Sequence, residues 1–187
     1  MKKRCDWVKL INPLYVAYHD HEWGVKDFSD DRHFEYLILE TFQAGLSWET
    51  VLNKREAYRK AMWNFHPQKL AKASSRDLDR WLNNAQLIRH RGKFIAAIEN
   101  AKIFLSIQMD TGSFHTWIMQ FFPKGPITHY PKTLQEIPTT SVEAIAIAKS
   151  LKQRGMKFIG PKIIYAHLQA MGLYDDHQID CAFKPKA

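Results

Sequence analysis

Cysteine is scarce in this chain, with two in 187 residues, at positions 5 and 181. Two cysteines cannot make the multi-bridge framework that small secreted scaffolds need, nor an all-thiolate metal site. Long apolar runs are also missing. None approaches the roughly 18 to 20 residues that cross a bilayer, so no membrane role is expected. Glycine and proline number eight each, and no segment is biased enough to read as a linker, a repeat or a disordered tail. Acidic residues are in deficit, 19 against 27 Lys and Arg. The resulting net charge of +8 favours an anionic partner, of which nucleic acid is the usual one. What remains is a chain of single-domain length whose 45% apolar content can fill a sizeable core.

The apolar periodicity is helical almost throughout, which predicts an all-α fold. Stripes at three-to-four spacing run through Phe34, Leu37, Ile38, Thr41 and Phe42, through Trp48, Val51, Leu52 and Tyr58, and through Phe94, Ile95, Ile98, Ala101 and Leu105. Thr140 with Glu143 predicts a capping box ahead of Val142, Ile145, Ala148 and Leu151, closed by Gly155. Pro161 opens a further helix that Gly172 stops.

Both cysteines fall in a set of four residues able to bind zinc: Cys5 and His19 near the start, His177 and Cys181 near the end. Thiolate and imidazole are the donors zinc prefers. The four-residue spacing of His177 and Cys181 places them on one face if that segment is helical. A Cys5–Cys181 disulfide and incidental buried histidines are the alternatives. The chain opens at Met1 without an apolar leader, so a reducing cytoplasm is expected, which disfavours the disulfide.

Two further stretches carry chemistry. In Arg154–Lys162, glycines 155 and 160 bracket the apolar pair Phe158–Ile159 between two helices, with Lys157 and Lys162 alongside. That is the pattern of a helix-hairpin-helix, whose amides and lysines hold a DNA backbone without reading sequence. The other stretch joins Tyr15–Gly24 to Leu39–Trp48, aromatics around the carboxylate Glu40, with Gly45 breaking a helix before Ser47 caps the next. Aromatic walls around one carboxylate suit a flat cation. For Trp63, Trp81 and Trp117 core packing is the default, and for Glu40 the bland alternative is a solvated helix flank.

The segments Cys5-Asp6-Trp7, Asp20-His21-Glu22-Trp23-Gly24, Gln43-Ala44-Gly45-Leu46-Ser47-Trp48, Ile88-Arg89-His90-Arg91-Gly92-Lys93 and Lys157-Phe158-Ile159-Gly160 together resemble the 3-methyladenine-DNA glycosylase I family of bacterial alkylation-repair enzymes. The match runs in order over nearly the whole chain. The resemblance implies a helix-hairpin-helix glycosylase fold, with a helical core over about residues 30–172, the hairpin at 155–161, and a terminal lobe of about 1–25 and 173–187. One structural zinc on Cys5, His19, His177 and Cys181 would staple that lobe.

The resemblance further implies monofunctional hydrolytic release of 3-methyladenine from double-stranded DNA, by a cytoplasmic enzyme expected to be a monomer without an obligate protein partner. Glu40 carries the catalytic and base-recognition role, Trp48 stacks on the base and Tyr18 walls the pocket. Leu46 in the Gly45–Leu46 turn is the wedge that fills the gap left by the flipped nucleotide. Lys157, Gly160, Lys162 and Arg91, the last within the basic Arg89–Lys93 segment, are the backbone contacts. Asp175, Asp176 and Asp180 receive no role. Two rivals make different demands. A non-enzymatic zinc-containing DNA-binding module would leave Glu40, Tyr18 and Trp48 apart, and a catalytic zinc on the His19-x-His21-Glu22 cluster would keep water in an open coordination position, which four protein ligands would exclude.

Overall fold

A computed structural model describes residues 2–185, so Met1 and the last two positions of the terminal lobe, 186 and 187, lie outside the described residues. Ten α-helices dominate the described residues. The first, α1 (Pro13–His21), starts where the Asn12 side chain accepts from the amides of Leu14 and Tyr15. The second, α2 (Asp30–Gln43), is capped by Ser29, has Asp30 and Asp31 in its first turn, and buries nine of its 14 residues. Such all-round burial fits a helix at the centre, and α2 packs against α7 (Arg91–Thr111), α8 (Phe114–Met119) and α10 (Pro161–Ala170). Short helices α3 (Trp48–Leu52), α4 (Arg55–Ala61), α5 (Pro67–Leu70) and α6 (Ser75–Asn83) fill one side, and α9 (Val142–Gln153) pairs with α10.

The core is strongly aromatic. Phe42 meets Tyr58 with ring centroids 4.5 Å apart, Phe34 meets Phe104 at 4.9 Å, and Phe104 stacks on Phe114 at 4.4 Å. Trp81 and Trp117 are buried as expected, whereas Trp63 is half-buried at the surface.

Four local expectations need correction. The fold is mostly helical but not wholly so: β1 (Ile127–Thr128) and β2 (Tyr174–Asp175) form a parallel pair with Ile127 opposite Tyr174. This pair ties the C-terminal segment to the stretch that follows α8. The α7 stripe lies one step round from the expected one, with Phe94, Ala97, Ala101 and Phe104 inward and Ile95 41% exposed. The α9 cap is Ser141, whose Oγ accepts from the Ala144 amide, rather than Thr140. Finally, His177 and Cys181 do not share a helix. They lie in the extended and turn segment after β2, where Cys181 N–H closes a turn on Gln178 O.

Candidate active site

A cavity of about 460 Å³ opens between α1, α2, α3, α10 and the 134–139 loop, and its lining includes Tyr18, Glu40, Trp48 and Lys162. Each wall is placed by local rules. The α2 helix ends at Gln43, and Gly45 takes φ +79°, a left-handed conformation that costs a side-chain-bearing residue free energy. Leu46 N–H then donates to Gln43 O at 2.6 Å. Ser47 caps α3 by accepting from the Thr50 amide at 3.2 Å. This tight reversal swings Trp48 back over the cavity, where its ring lies 5.1 Å from Tyr18 at 50°. Behind Tyr18 stands Tyr36, whose hydroxyl donates to Glu22 at 2.9 Å, and Arg55 ties Glu22 to Glu35.

Glu40 is the anomaly of the site. It is 3% exposed, so it is not a solvated flank, and its Oε2 has no hydrogen-bond partner among the described residues. Burial in apolar surroundings pushes its carboxyl up to about 8. Trp48 Nε1 is also buried and unpaired among the described residues. An orphaned carboxyl and an orphaned donor beside one aromatic cavity await a ligand with complementary polar edges.

The terminal cluster is a second site. Ligand atoms of Cys5, His19 and Cys181 lie within 4.8 Å of one another, and both cysteines are buried and free of a disulfide. His19 Nδ1 is 2.8 Å from Asp20 Oδ1, leaving Nε2 beside Cys181 Sγ at 3.5 Å. His177 is held the same way, its Nδ1 2.8 Å from Asp175 Oδ1, while its Nε2 is buried without a partner among the described residues. The two imidazole rings are 5.4 Å apart. Gly24 permits this approach: a Cβ there would meet His177 Cε1 at 2.8 Å. The alternative triad of His19, His21 and Glu22 does not converge, because His21 is exposed and Glu22 is taken by Tyr36 and Arg55.

In the hairpin, Met156 and Ile159 are buried, Lys157 is exposed and Phe158 adopts φ +55°. A Cβ at Gly160 would meet nothing within 4 Å, so its bare backbone is open to an outside partner. Arg91 is exposed, and the neighbouring His90 ring rests 5.8 Å from that of Phe158. Two basic residues differ from expectation. Lys93 is buried with its Nζ on backbone carbonyls, so this member of the Arg89–Lys93 segment does not face phosphate, and Lys162 lines the cavity as well as following the hairpin. None of the three C-terminal aspartates lines the cavity. Asp175 holds His177, Asp176 accepts from Tyr165 and Gln169, and Asp180 pairs with Lys3.

Sequence reasoning gave no individual role to several contributors, although Tyr15, Trp23 and Gln43 lie in the stretches it singled out. Trp7, Tyr15 and Trp23 complete the aromatic walls, and Gln43 and Gln169 add amides. Asn100 donates to Lys157 O and accepts from Lys157 N–H, both at 3.0 Å, fastening the hairpin to α7. Trp7, Trp23 and Gln43 stood inside recognisable motifs, whereas nothing around Asn100 marked it.

Residues 7–184 match the family model described as methyladenine glycosylase. The chain belongs to that family. It is 43% identical to DNA-3-methyladenine glycosylase 1 of Escherichia coli (strain K12), over 98% of this chain and 97% of the relative. A crystal structure of 3-methyladenine DNA glycosylase I superposes with a TM-score of 0.93 at 44% identity, covering 98% of this chain and 100% of the other. A second, of a tyrosine-to-phenylalanine variant in complex with 3-methyladenine, gives 0.90 at 36% identity, with 94% of each chain covered. The methyladenine glycosylase fold therefore extends along 98% of this chain.

Proposed function

We propose that this protein is a base-excision repair glycosylase that flips 3-methyladenine out of alkylated double-stranded DNA and hydrolyses its N-glycosidic bond, without cleaving the strand. The observation that carries the reading is Glu40, a buried carboxyl with no cationic partner among the described residues, in the wall of an open aromatic cavity. Relatives named for the same activity, and a structural neighbour whose complex holds 3-methyladenine, support it.

The chemistry follows from charge. N3-methylation makes the base a cation in the nucleotide, so aromatic faces attract it by about 0.5 to 2 kcal/mol beyond neutral adenine. Trp48 stacks on the base, Tyr18 closes the wall, and Glu40 accepts hydrogen bonds from its edge. An empty pocket near pH 7 keeps Glu40 mostly protonated, and the arriving cation favours the carboxylate. When the glycosidic bond breaks, its electron pair passes to the base and cancels the positive charge, while water adds at the sugar. A cationic leaving group needs no protonation, so positioning and electrostatics carry the rate.

The backbone is held by Lys157, Gly160 and Arg91, with Lys162 between hairpin and cavity, and Leu46 wedges into the vacated stack. One zinc would be held by Cys5, His19 and Cys181, whose donor atoms converge, with His177, which lies outside that group of three, completing the set. Each histidine presents Nε2 while a carboxylate fixes its Nδ1, and His177 Nε2 otherwise remains a buried orphan. A zinc there would tie together the two ends of the terminal lobe, residues 1–25 and 173–187, and so steady Tyr18 and the other aromatic walls that this lobe lends to the cavity beside the helical core of 30–172. Among the described residues no helix is long and apolar enough to cross a membrane. We read the protein as a monomeric cytoplasmic enzyme acting on chromosomal DNA. Glu40, Tyr18 and Trp48 lining one cavity favours an enzyme over a non-catalytic DNA-binding module. Incubating the protein with methylated duplex DNA and identifying the released bases by chromatography tests the proposal. Release of 3-methyladenine with intact strands is expected, and no release at stoichiometric enzyme refutes it.

A further inference from the structure

Lys93 lies in a stretch whose composition offers it to phosphate, yet its side chain is turned into the protein and 3% exposed. Its Nζ donates to Phe42 O at 2.7 Å and to Ala44 O at 2.5 Å. The only perturbation of its charge is burial, which lowers its proton affinity, with no carboxylate facing it among the described residues. An ammonium without a counter-ion is costly to bury, and lysine is almost never found so. The compensation lies in what it touches. Both acceptors are orphan carbonyls at the C-terminal end of α2, where the helix dipole also favours a cation.

Those carbonyls bracket Gln43 and lead directly into Gly45–Leu46. The tip of that turn has little packing of its own. An added Cβ on Gly45 would find nothing within 4 Å, and Leu46 is 42% exposed. Apart from the Leu46 N–H bond to Gln43 O, Lys93 supplies the direct hydrogen bonds that fix where the turn leaves α2.

We propose that Lys93 is the positioning residue of the base-flipping wedge: its buried ammonium clamps the Phe42 and Ala44 carbonyls so that Leu46 meets the duplex already placed, and none of its insertion energy goes into ordering the turn. This rests on the reading of Leu46 as the wedge. A wedge matters where a base must leave a stack and much less on single strands, so the discriminating quantity is the ratio of single-turnover 3-methyladenine release from duplex to that from single-stranded DNA.

Lys93→Met keeps an unbranched side chain and removes the donors, and Leu46→Ala is measured beside it. Both are expected to lower the ratio by roughly tenfold, the rate equivalent of about 1.4 kcal/mol. A merely structural lysine would depress both substrates alike and leave the ratio unchanged, and that result overturns the proposal. If Leu46→Ala lowers the ratio and Lys93→Met does not, the wedge stands and the role of Lys93 falls. If Leu46→Ala leaves it unchanged, the wedge reading fails and the proposal with it. Should Lys93→Met melt below the assay temperature, Lys93→Gln takes its place. It keeps a polar group there but lacks the charge and the reach to both carbonyls, so an unchanged ratio for it also overturns the proposal.

Discussion

Glu40→Gln should make this protein more stable and less active, with the gain in stability growing with pH. The Glu40 carboxyl is held near 8 in the fold by burial, against an ordinary value of 4.5. A group whose folded value is raised contributes stability that is fully present below the unfolded value and is lost as pH rises through the folded one. The window is therefore pH 4.5 to 8. At 1.36 kcal/mol per unit, the loss reaches about 3 kcal/mol at pH 7 and about 5 kcal/mol above pH 8. Glutamine has nearly the same volume and cannot ionise, so it avoids that loss. For a chain of this size 1 kcal/mol moves the melting temperature by about 2 to 4 °C, so the variant should melt roughly 6 to 12 °C above wild type at pH 7 and almost with it at pH 5. Thermal melts of both proteins from pH 5 to pH 9, paired with 3-methyladenine release on the same preparations, make the measurement. Parallel melting profiles across that range would refute the account of Glu40 as an uncompensated buried acid. Full excision by the variant would separately refute a charge-dependent role in recognition.

The remaining expectations are simpler. Trp48→Ala should remain folded, because that side chain is only half-buried, and lose about 1 to 3 kcal/mol of affinity for the free methylated base by titration; unfolding would return the tryptophan to a packing role. Replacing Lys157 by Ala should weaken duplex binding for all sequences alike and reduce the slope of log affinity against log salt by about 1, and an unchanged slope with altered base preference would exclude a phosphate contact. Elemental analysis of protein purified without chelator should find one zinc per chain. Its removal should raise amide exchange around Cys5, His19 and Cys181 before exchange around Glu40, and equal loss at both places would contradict a purely terminal staple.

The elements that follow from one residue's local chemistry were readable without coordinates. Ser47 and Gly45 mark the break between α2 and α3, and Pro161 marks the start of α10, because each uses a backbone rule that neighbours do not override. Glu40, Tyr18 and Trp48 were identifiable as one site through the order of the motifs around them, not through their spacing. The failures have physical causes. The α7 helix is apolar on more than one face, so periodicity alone could not choose Phe104 over Ile95 for the core. A four-residue interval between His177 and Cys181 suits a helix, but a turn after a short strand brings Cys181 to the same cluster, and the two-residue strands are too short to show any alternation. Thr140 has Glu143 three residues on and so matches the capping box, whereas the helix uses the plain hydroxyl cap of its neighbour Ser141, which has Ala144 at that place. Lys93 was misassigned because lysine is normally exposed, and nothing in a basic run announces which member turns inward.

The misread residues share a property that bears on how the enzyme is built. Lys93 and Asn100 are seven residues apart on α7, nearly two full turns, so they project from the same side about 10 Å apart along the axis. One holds the carbonyls beneath the Gly45–Leu46 turn, and the other holds both backbone groups of Lys157 in the hairpin. Apolar packing fixes separations between elements loosely, since a side chain can shift several tenths of an ångström without losing much contact. Hydrogen bonds at 2.5 to 3.0 Å lose strength quickly when stretched or bent. A glycosylase must grip phosphates at one place, wedge the stack at another and receive the flipped base at a third, with the sugar–phosphate chain dictating the spacing among them. Tethering the Gly45–Leu46 turn and the hairpin to a single rigid helix by polar bonds, while α2 carries Glu40 and ends at Gln43 just before that turn, would set that spacing before DNA arrives. The buried polar groups of α7, each satisfied by backbone partners on another element, are therefore the ones that align these parts.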